Sequence, residues 1–521
     1  MKKSVMKITG AVLVFALIFG SMAGLLRYRY SDSITSIRRF YQLEDNTVDL
    51  LGLGTSHVYE GLCPAVLYRK YGIAAYDLCA PAQAVWNSYY YFVEALKTQT
   101  PRAVVFDVYM LNTNSEYDTT ANAIKTTFGM KWSQNKLDAM RAAFPEDSFP
   151  EILLNFYQYH TRYAELSEED LLPDNGDSPY FGDSYKGFYT YDTVQEQETP
   201  DVASFTGTRT LAEKHEQYYR AIIELAIANQ IPIYIVSIPY VVASDTQKTV
   251  RAAEAIALSY NSEYVRFIDF NQRYEEIGLD FSTDFSGSQH LNRSGAIKFT
   301  SYFGQILQSE LDFPDRRQDE AFASWEENAA IFYRMTDQAQ LQKEIDIYAY
   351  ADALRELDEQ YCVIIVKNTL ISKESAASDA NGEPVFHADD LSNEEKESIL
   401  SYRQKVRDIT FSSATMQTLF AITDDAVHGG AWILQDGQLQ MLGSNENGFS
   451  WYHSFNGRNN VALRASSYGD VDDTYYRCEL LYGEESYGAN TGVTIFVYDT
   501  YLNRLADCVT FDTETSPGQR T

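Results

Sequence analysis

The chain has 521 residues, 45% of them hydrophobic, with 73 acidic against 42 basic side chains and a formal net charge of −31. Such a length predicts two globular units rather than one. The acidity excludes nucleic acid as a partner, because phosphate-backbone binders need a basic face to displace counterions, and the 40 Tyr and 28 Phe exclude a disordered acidic polymer.

Residues 8–26 (ITGAVLVFALIFGSMAGLL) carry no charge and follow Lys2, Lys3 and Lys7. At 1.5 Å per residue such a helix reaches about 28 Å, against a hydrocarbon core of roughly 30 Å. Residues 1–30 therefore predict a single-pass membrane anchor with its basic start inside. The alternative is a signal peptide cleaved near Ser21-Met22-Ala23. Either reading places the bulk of the chain outside the cytoplasm.

From residue 48 onward, short apolar runs alternate with amphipathic ones. Residues 48–53 (VDLLGL), 74–78 (AAYDL), 103–109 (AVVFDVY), 233–238 (IYIVSI) and 265–270 (VRFIDF) read as strands. They lack polar alternation, as parallel strands covered on both faces do. Helical patterns at 86–98, 211–229 and 246–260 separate them. The expectation is an α/β unit, a three-layer αβα arrangement around about five parallel strands. A last helix after His290 sets Ala296, Phe299, Phe303, Ile306 and Leu307 on one face. Residues 111–205, rich in Tyr, Asp and Asn, interrupt the alternation with a helical piece at 131–143. They read as an insertion over the mouth of the sheet.

Residues 313–345 are charged and helical in pattern, a linker. Beyond them, 362–367 (CVIIVK), 431–434, 493–498 (VTIFVY) and 505–511 (LADCVTF) predict a mainly β, sandwich-like domain over 346–515. It carries one helix at 393–406 and a hairpin loop at 499–504. The five cysteines (Cys63, Cys79, Cys362, Cys478, Cys508) are too few for a disulfide scaffold. Cys63 with Cys79 and Cys478 with Cys508 are conceivable pairs, and buried free thiols are the favoured state. No CxxC or HExxH spacing occurs among them and the seven scattered histidines, so neither a metal nor a cofactor is expected.

The first predicted strand runs into Gly54-Thr55-Ser56-His57. A hydroxyl at the C-terminal end of strand one lies where parallel sheets build their sites, beside a helix N-terminus able to stabilise an oxyanion. The alternative is that Ser56 caps the helix. Residues 281–292 (FSTDFSGSQHLN) precede the last helix and carry His290 in a polar loop. A neutral imidazole there could lean over the sheet edge and activate Ser56. His57 reads as a residue at the rim of the site or behind it.

The GTSH at 54–57, the run YDLCAPAQAVWNSYYYFVEAL at 76–96 and HLNRSGAIKFT at 290–300 resemble the SGNH (GDSL-type) hydrolase superfamily, in its membrane-anchored bacterial envelope branch. The resemblance covers residues 45–312. It implies a flavodoxin-like fold with Ser56 as nucleophile and His290 as base. The family's Asp three residues before the His is Gly287 here, which leaves Asp284, or a dyad steadied by a backbone carbonyl. The family's block-two glycine is replaced by Cys79 or Ala82, and its GxND block is absent. Gln83 and Asn87 are then the candidate oxyanion donors.

Residues 492–513, with 362–367 and 429–433 as earlier strands, resemble the interleukin-like EMT-inducer domain over 345–515. That resemblance implies a β-sandwich serving as a lectin-like stem, or as a spacer. Trp432, Trp451 and Tyr452 are either sugar-stacking or core residues. Together the resemblances imply a membrane-anchored serine esterase or O-acyltransferase, with acetyl as the acyl group. Its expected partners are an envelope polysaccharide and a membrane acyl-donor protein. The alternative is an inactive SGNH-like glycan-binding or envelope-assembly protein. Tyr89-Tyr90-Tyr91 and the Tyr-rich insertion suit a neutral sugar.

Overall fold

The computed structural model describes residues 2–26, 32–149, 163–164, 186–355, 357, 360–368, 430–435, 438–444, 449–455, 457, 459–468, 475–487 and 492–511. The chain divides into two units, Met1–Tyr333 and Arg334–Thr521.

Helix α1 (Lys2–Leu26) forms over the predicted anchor. Among the described residues, however, no helix is long and apolar enough to cross a membrane. This corrects the expectation of a single-pass anchor and the localisation drawn from it. The uncharged run of 8–26 spans about 28 Å at 1.5 Å per residue, just short of a hydrocarbon core of roughly 30 Å.

The first unit is built on strands β1 (Leu50–Leu53), β2 (Ala75–Asp77), β3 (Ala103–Asp107), β4 (Ile233–Ser237) and β5 (Val265–Asp269). They pair in the order β2-β1-β3-β4-β5, all parallel. That is the flavodoxin-type order, which places the topological switch between β1 and β3. Each predicted apolar run contains one of these strands. β1 to β4 are buried along their length, whereas β5 exposes Arg266, as an edge strand does.

Helices α2 (Asp32–Phe40), α3 (Ser56–Gly61), α4 (Pro64–Tyr71), α5 (Val85–Ala95), α6 (Thr120–Thr127), α7 (Gln134–Ala143), α8 (Glu213–Ala228), α9 (Ser244–Ser259), α10 (Tyr274–Ile277) and α11 (Arg293–Glu310) complete the unit. On one face of the sheet, Leu50, Val105 and Val236 pack with Val58 and Leu62, with Leu67 of α4, and with Phe299, Phe303 and Leu307 of α11. On the other, Phe106 stacks on Tyr219 of α8. The predicted apolar face of the last helix is the one that is buried, with Ile306 at its margin. Within the insertion, α6 and α7 close a small core of their own around Trp86, Phe128, Met140 and Phe144.

The second unit holds β8 (Tyr361–Asn368), β9 (Gly430–Gln435), β10 (Gln438–Ser444), β11 (Phe449–Phe455), β12 (Asn459–Tyr468), β13 (Tyr475–Tyr482), β14 (Glu485–Tyr487), β15 (Gly492–Asp499) and β16 (Arg504–Phe511). They form two antiparallel sheets, β10-β9-β8-β15-β16 and β11-β12-β13-β14. Alternation along β8 explains the layering. Cys362, Ile364 and Val366 pack with Val461, Leu463 and Leu480 of the second sheet. Val363 and Ile365 instead meet Leu341, at the end of α12 (Ala323–Lys343), and Ile347 and Tyr350 of α13 (Ile347–Arg355). The predicted hairpin between β15 and β16 is present. The helix expected at 393–406 lies outside the described residues. Trp432 is buried core, Trp451 is half-buried, and Tyr452 is exposed. Cys63, Cys79 and Cys478 are free thiols, so neither conceivable disulfide pair forms.

Candidate functional site

At the end of β1 the chain must pass close to β3. A Cβ on Gly54 would stand 2.5 Å from Cγ2 of Val58 and 3.2 Å from Cβ of Asp107, so glycine is required. Thr55 is extended, and its Oγ1 accepts the His57 N–H at 3.2 Å, which starts α3. The capping role considered for Ser56 thus belongs to Thr55. Ser56 is the first helical residue, and its own N–H has no acceptor within the helix.

The imidazole of His290 meets this serine, with Nε2 2.8 Å from Ser56 Oγ. A short hairpin of β6 (Phe285–Gly287) and β7 (His290–Leu291) carries the histidine. Asn292 then caps α11, accepting the Gly295 N–H at 3.2 Å and donating to the Thr283 carbonyl at 2.7 Å. Fully buried Thr300 of α11 accepts the Cys63 N–H and donates to the Gly61 carbonyl, both at 2.9 Å. The helix behind the histidine is thereby tied to the end of the helix that begins with the serine.

Asp284 is not placed behind the imidazole. Its carboxylate accepts the Asp280 N–H at 2.8 Å, the Ser294 hydroxyl at 2.7 Å and Lys298 Nζ at 2.6 Å. It serves the base of the loop that bears His290. The carboxylate on the Nδ1 side is Glu60, whose Oε2 lies 3.7 Å from that nitrogen. Glu60 stands four residues after Ser56, so the two share one face of α3. Sequence reasoning passed over it, although the i, i+4 spacing was the available signal.

Burial pushes the Glu60 carboxyl up to about 8 and lowers the pKa of His290, which favours a neutral imidazole. His57, 2% exposed, stacks on Tyr109 with ring centroids 3.8 Å apart and meets Tyr240 and His290 edge-on. Burial, with His290 nearby, holds His57 well below its ordinary pKa. It is a neutral wall residue.

The two candidate oxyanion amides are engaged elsewhere. Asn87 Nδ2 donates to Asp118 at 2.7 Å and to Thr126 at 3.0 Å, inside the insertion core. Gln83 Nε2 donates to Ser88 Oγ at 3.0 Å. Two buried carboxyls sit at strand ends. Asp107 accepts the N–H groups of Tyr109 and Ile238, and burial raises it to about 7. Asp77 is held well above the usual range by burial.

The returning end of the insertion runs beside both catalytic candidates. At Gly187 (φ +88°) a Cβ would stand 2.0 Å from the Asp77 carbonyl oxygen, so only glycine fits. The Tyr189 N–H then donates to the Tyr59 carbonyl at 2.7 Å, and the Gln195 N–H to that of Phe285 at 2.8 Å. Arg293 closes a two-bond ion pair with Asp192. A separate cleft of about 600 Å³ lies between α7 and α8, lined by Tyr90, Tyr117, Tyr218, Arg141, Lys214 and Glu213 among others. Among the described residues no group of three or more His, Cys, Asp or Glu could hold a metal ion.

Comparison with protein-family models and with curated proteins finds no match to this chain.

Proposed function

We propose that the first unit is a serine acyl-transfer enzyme, an SGNH-type esterase or O-acyltransferase acting on acetyl groups of a polysaccharide. The observation that carries this reading is the 2.8 Å contact between Ser56 Oγ and His290 Nε2 at the C-terminal edge of a parallel sheet. Ser56 after the first strand, His290 before the last helix and the strand order are the features expected of that superfamily. The carbohydrate reading rests on the resemblance to the envelope branch of that superfamily.

In this mechanism His290 Nε2 removes the hydroxyl proton as Ser56 Oγ bonds to the ester carbonyl carbon. Collapse of the tetrahedral adduct breaks the C–O bond to the leaving alcohol, which takes the proton from His290. The acyl-serine then passes its acyl group to water or to a sugar hydroxyl, with His290 again as the base. The test is turnover of 4-nitrophenyl acetate, with and without an acceptor glycan. Wild type should release nitrophenol, and product acetylated on the acceptor would assign transfer over hydrolysis. Unchanged turnover by Ser56→Ala would overturn the assignment.

A second reading, a catalytically inactive SGNH-like glycan-binding protein, is favoured by one observation. The amides of Gln83 and Asn87 that would serve an oxyanion are turned to other partners. It predicts glycan binding without turnover. For the second unit, we propose a glycan-holding stem on its resemblance to the interleukin-like EMT-inducer domain, with exposed Tyr452 as the stacking ring.

A further inference from the structure

The face of His290 opposite the serine holds a carboxylate. Glu60 is 4% exposed, and its Oε2 has no hydrogen-bond partner among the described residues. It lies 3.7 Å from His290 Nδ1, an ion-pair distance that closes to hydrogen-bond length with a shift of about 0.8 Å. Such contacts commonly tighten only when substrate is bound. Two other carboxylates near the sheet edge are occupied, Asp284 by Lys298 and Ser294, Asp107 by two backbone N–H groups.

We infer that Glu60 is the positioning residue for His290, holding the Nδ1–H so that Nε2 presents its lone pair to Ser56. The inference rests on the acyl-transfer reading of that pair. An ionised Glu60 accepts from Nδ1–H and stabilises the imidazolium once the serine proton arrives. A protonated Glu60 donates to Nδ1 instead. The single imidazole proton then sits on Nε2, where it cannot accept from Ser56. Turnover therefore follows loss of the Glu60 proton.

The surroundings agree. Helix α3 packs on β1, β7 and α11. β1 carries no titratable group, and β7 brings His290. On α11, Arg293, Lys298 and Glu310 are paired with Asp192, Asp284 and Arg266, and Tyr302 donates to Glu276. On α3 itself, His57 is held neutral and Tyr59 is half-buried. Burial alone moves the Glu60 carboxyl, to about 8.

The experiment is the pH profile of kcat/KM for 4-nitrophenyl acetate between about pH 5.5 and 9.5 in wild type, Glu60→Gln and Glu60→Asp, with melting temperatures as the folding control. Wild type should rise through a midpoint near 8. Glu60→Gln, equally stable, should lose about 10²–10⁴-fold in rate together with that midpoint, because its amide N–H favours the wrong tautomer. Glu60→Asp should restore a titrating limb and part of the rate. Wild-type rate and midpoint in Glu60→Gln would overturn the inference, provided Ser56→Ala and His290→Ala are inactive. If those two are active, the acyl-transfer reading itself has failed. Should Glu60→Gln not fold, a Glu60→Asp profile lacking any carboxyl limb would overturn it equally.

Discussion

Asp499 in the second unit and Asp77 in the first are both fully buried carboxylates, and their surroundings are opposite. Asp499 accepts two bonds of 3.0 Å from Arg334 and two of 2.9 Å from the backbone N–H groups of Tyr501 and Leu502. Elsewhere in that unit, Asn368 exchanges two bonds with the Cys478 backbone, and the Tyr350 hydroxyl reaches Asp507. At the C-terminal edge of the parallel sheet, both oxygens of Asp77, both ring nitrogens of His57, Glu60 Oε2 and the Tyr240 hydroxyl have no partner among the described residues. In the second unit only Gln338 Oε1 shares that condition among the described residues. A buried polar atom left unanswered costs about 1–3 kcal/mol. His57, Glu60 and Tyr240 lie beside the Ser56–His290 contact of the proposed site. Asp499, by contrast, is answered within its own unit.

That contrast can be broken in four ways, in decreasing order of effect. Ser56→Ala and His290→Ala should each lower ester turnover by at least about 10³-fold while leaving the melting temperature within a few degrees. Steady-state kinetics beside calorimetry would separate the two quantities. Asp499→Ala leaves the Arg334 guanidinium buried without its anion, so denaturant titration should show about 3–5 kcal/mol lost from the second unit. An effect below about 1 kcal/mol would mean that this pair is no more structural than the groups at the sheet edge.

Asp77→Asn should act in the other direction. The raised pKa means that the folded form keeps a proton which the unfolded chain releases above its ordinary value of 3.8. Stability from this group is therefore present below about pH 4 and falls as pH rises. The variant should melt higher than wild type at pH 8, by about 1–3 kcal/mol in stability, and the gain should vanish near pH 4. A lower melting point at pH 8 would show that the carboxylate has work to do in its charged form. Comparable in size is Thr300→Val, which leaves the Cys63 N–H and the Gly61 carbonyl unanswered. It should cost about 1–3 kcal/mol and lower kcat more than it raises KM, since it loosens the tie between α3 and α11.

The parallel sheet was legible because its strands are covered on both faces, so that VDLLGL, AVVFDVY and IYIVSI stand out as unbroken apolar runs. The Ser56–His290 contact draws on a related pattern, Ser56 following the first of these runs and His290 preceding the amphipathic last helix. The uncharged run of 8–26 predicts a membrane anchor, yet at about 28 Å it only just approaches a hydrocarbon core of roughly 30 Å, and no described helix is long and apolar enough to cross one. Asp284 illustrates what spacing cannot supply. Its partner Lys298 is fourteen positions away on the next helix, and only the folded loop shows that the pair is closed. Glu60 was hidden by the opposite circumstance, since it lies so near Ser56 in sequence that only the i, i+4 spacing marks it. Gln83 and Asn87 were chosen by residue type, yet the insertion core and Ser88 take their amide groups.

The central claim is that Ser56 is an activated nucleophile, and a fluorophosphonate tests it without assuming any substrate. Intact-mass and peptide analysis after exposure at pH 8 should place one stoichiometric adduct on Ser56, absent in Ser56→Ala and strongly slowed in His290→Ala. A folded protein that stays unmodified, or that carries its adduct on another residue, would contradict the account.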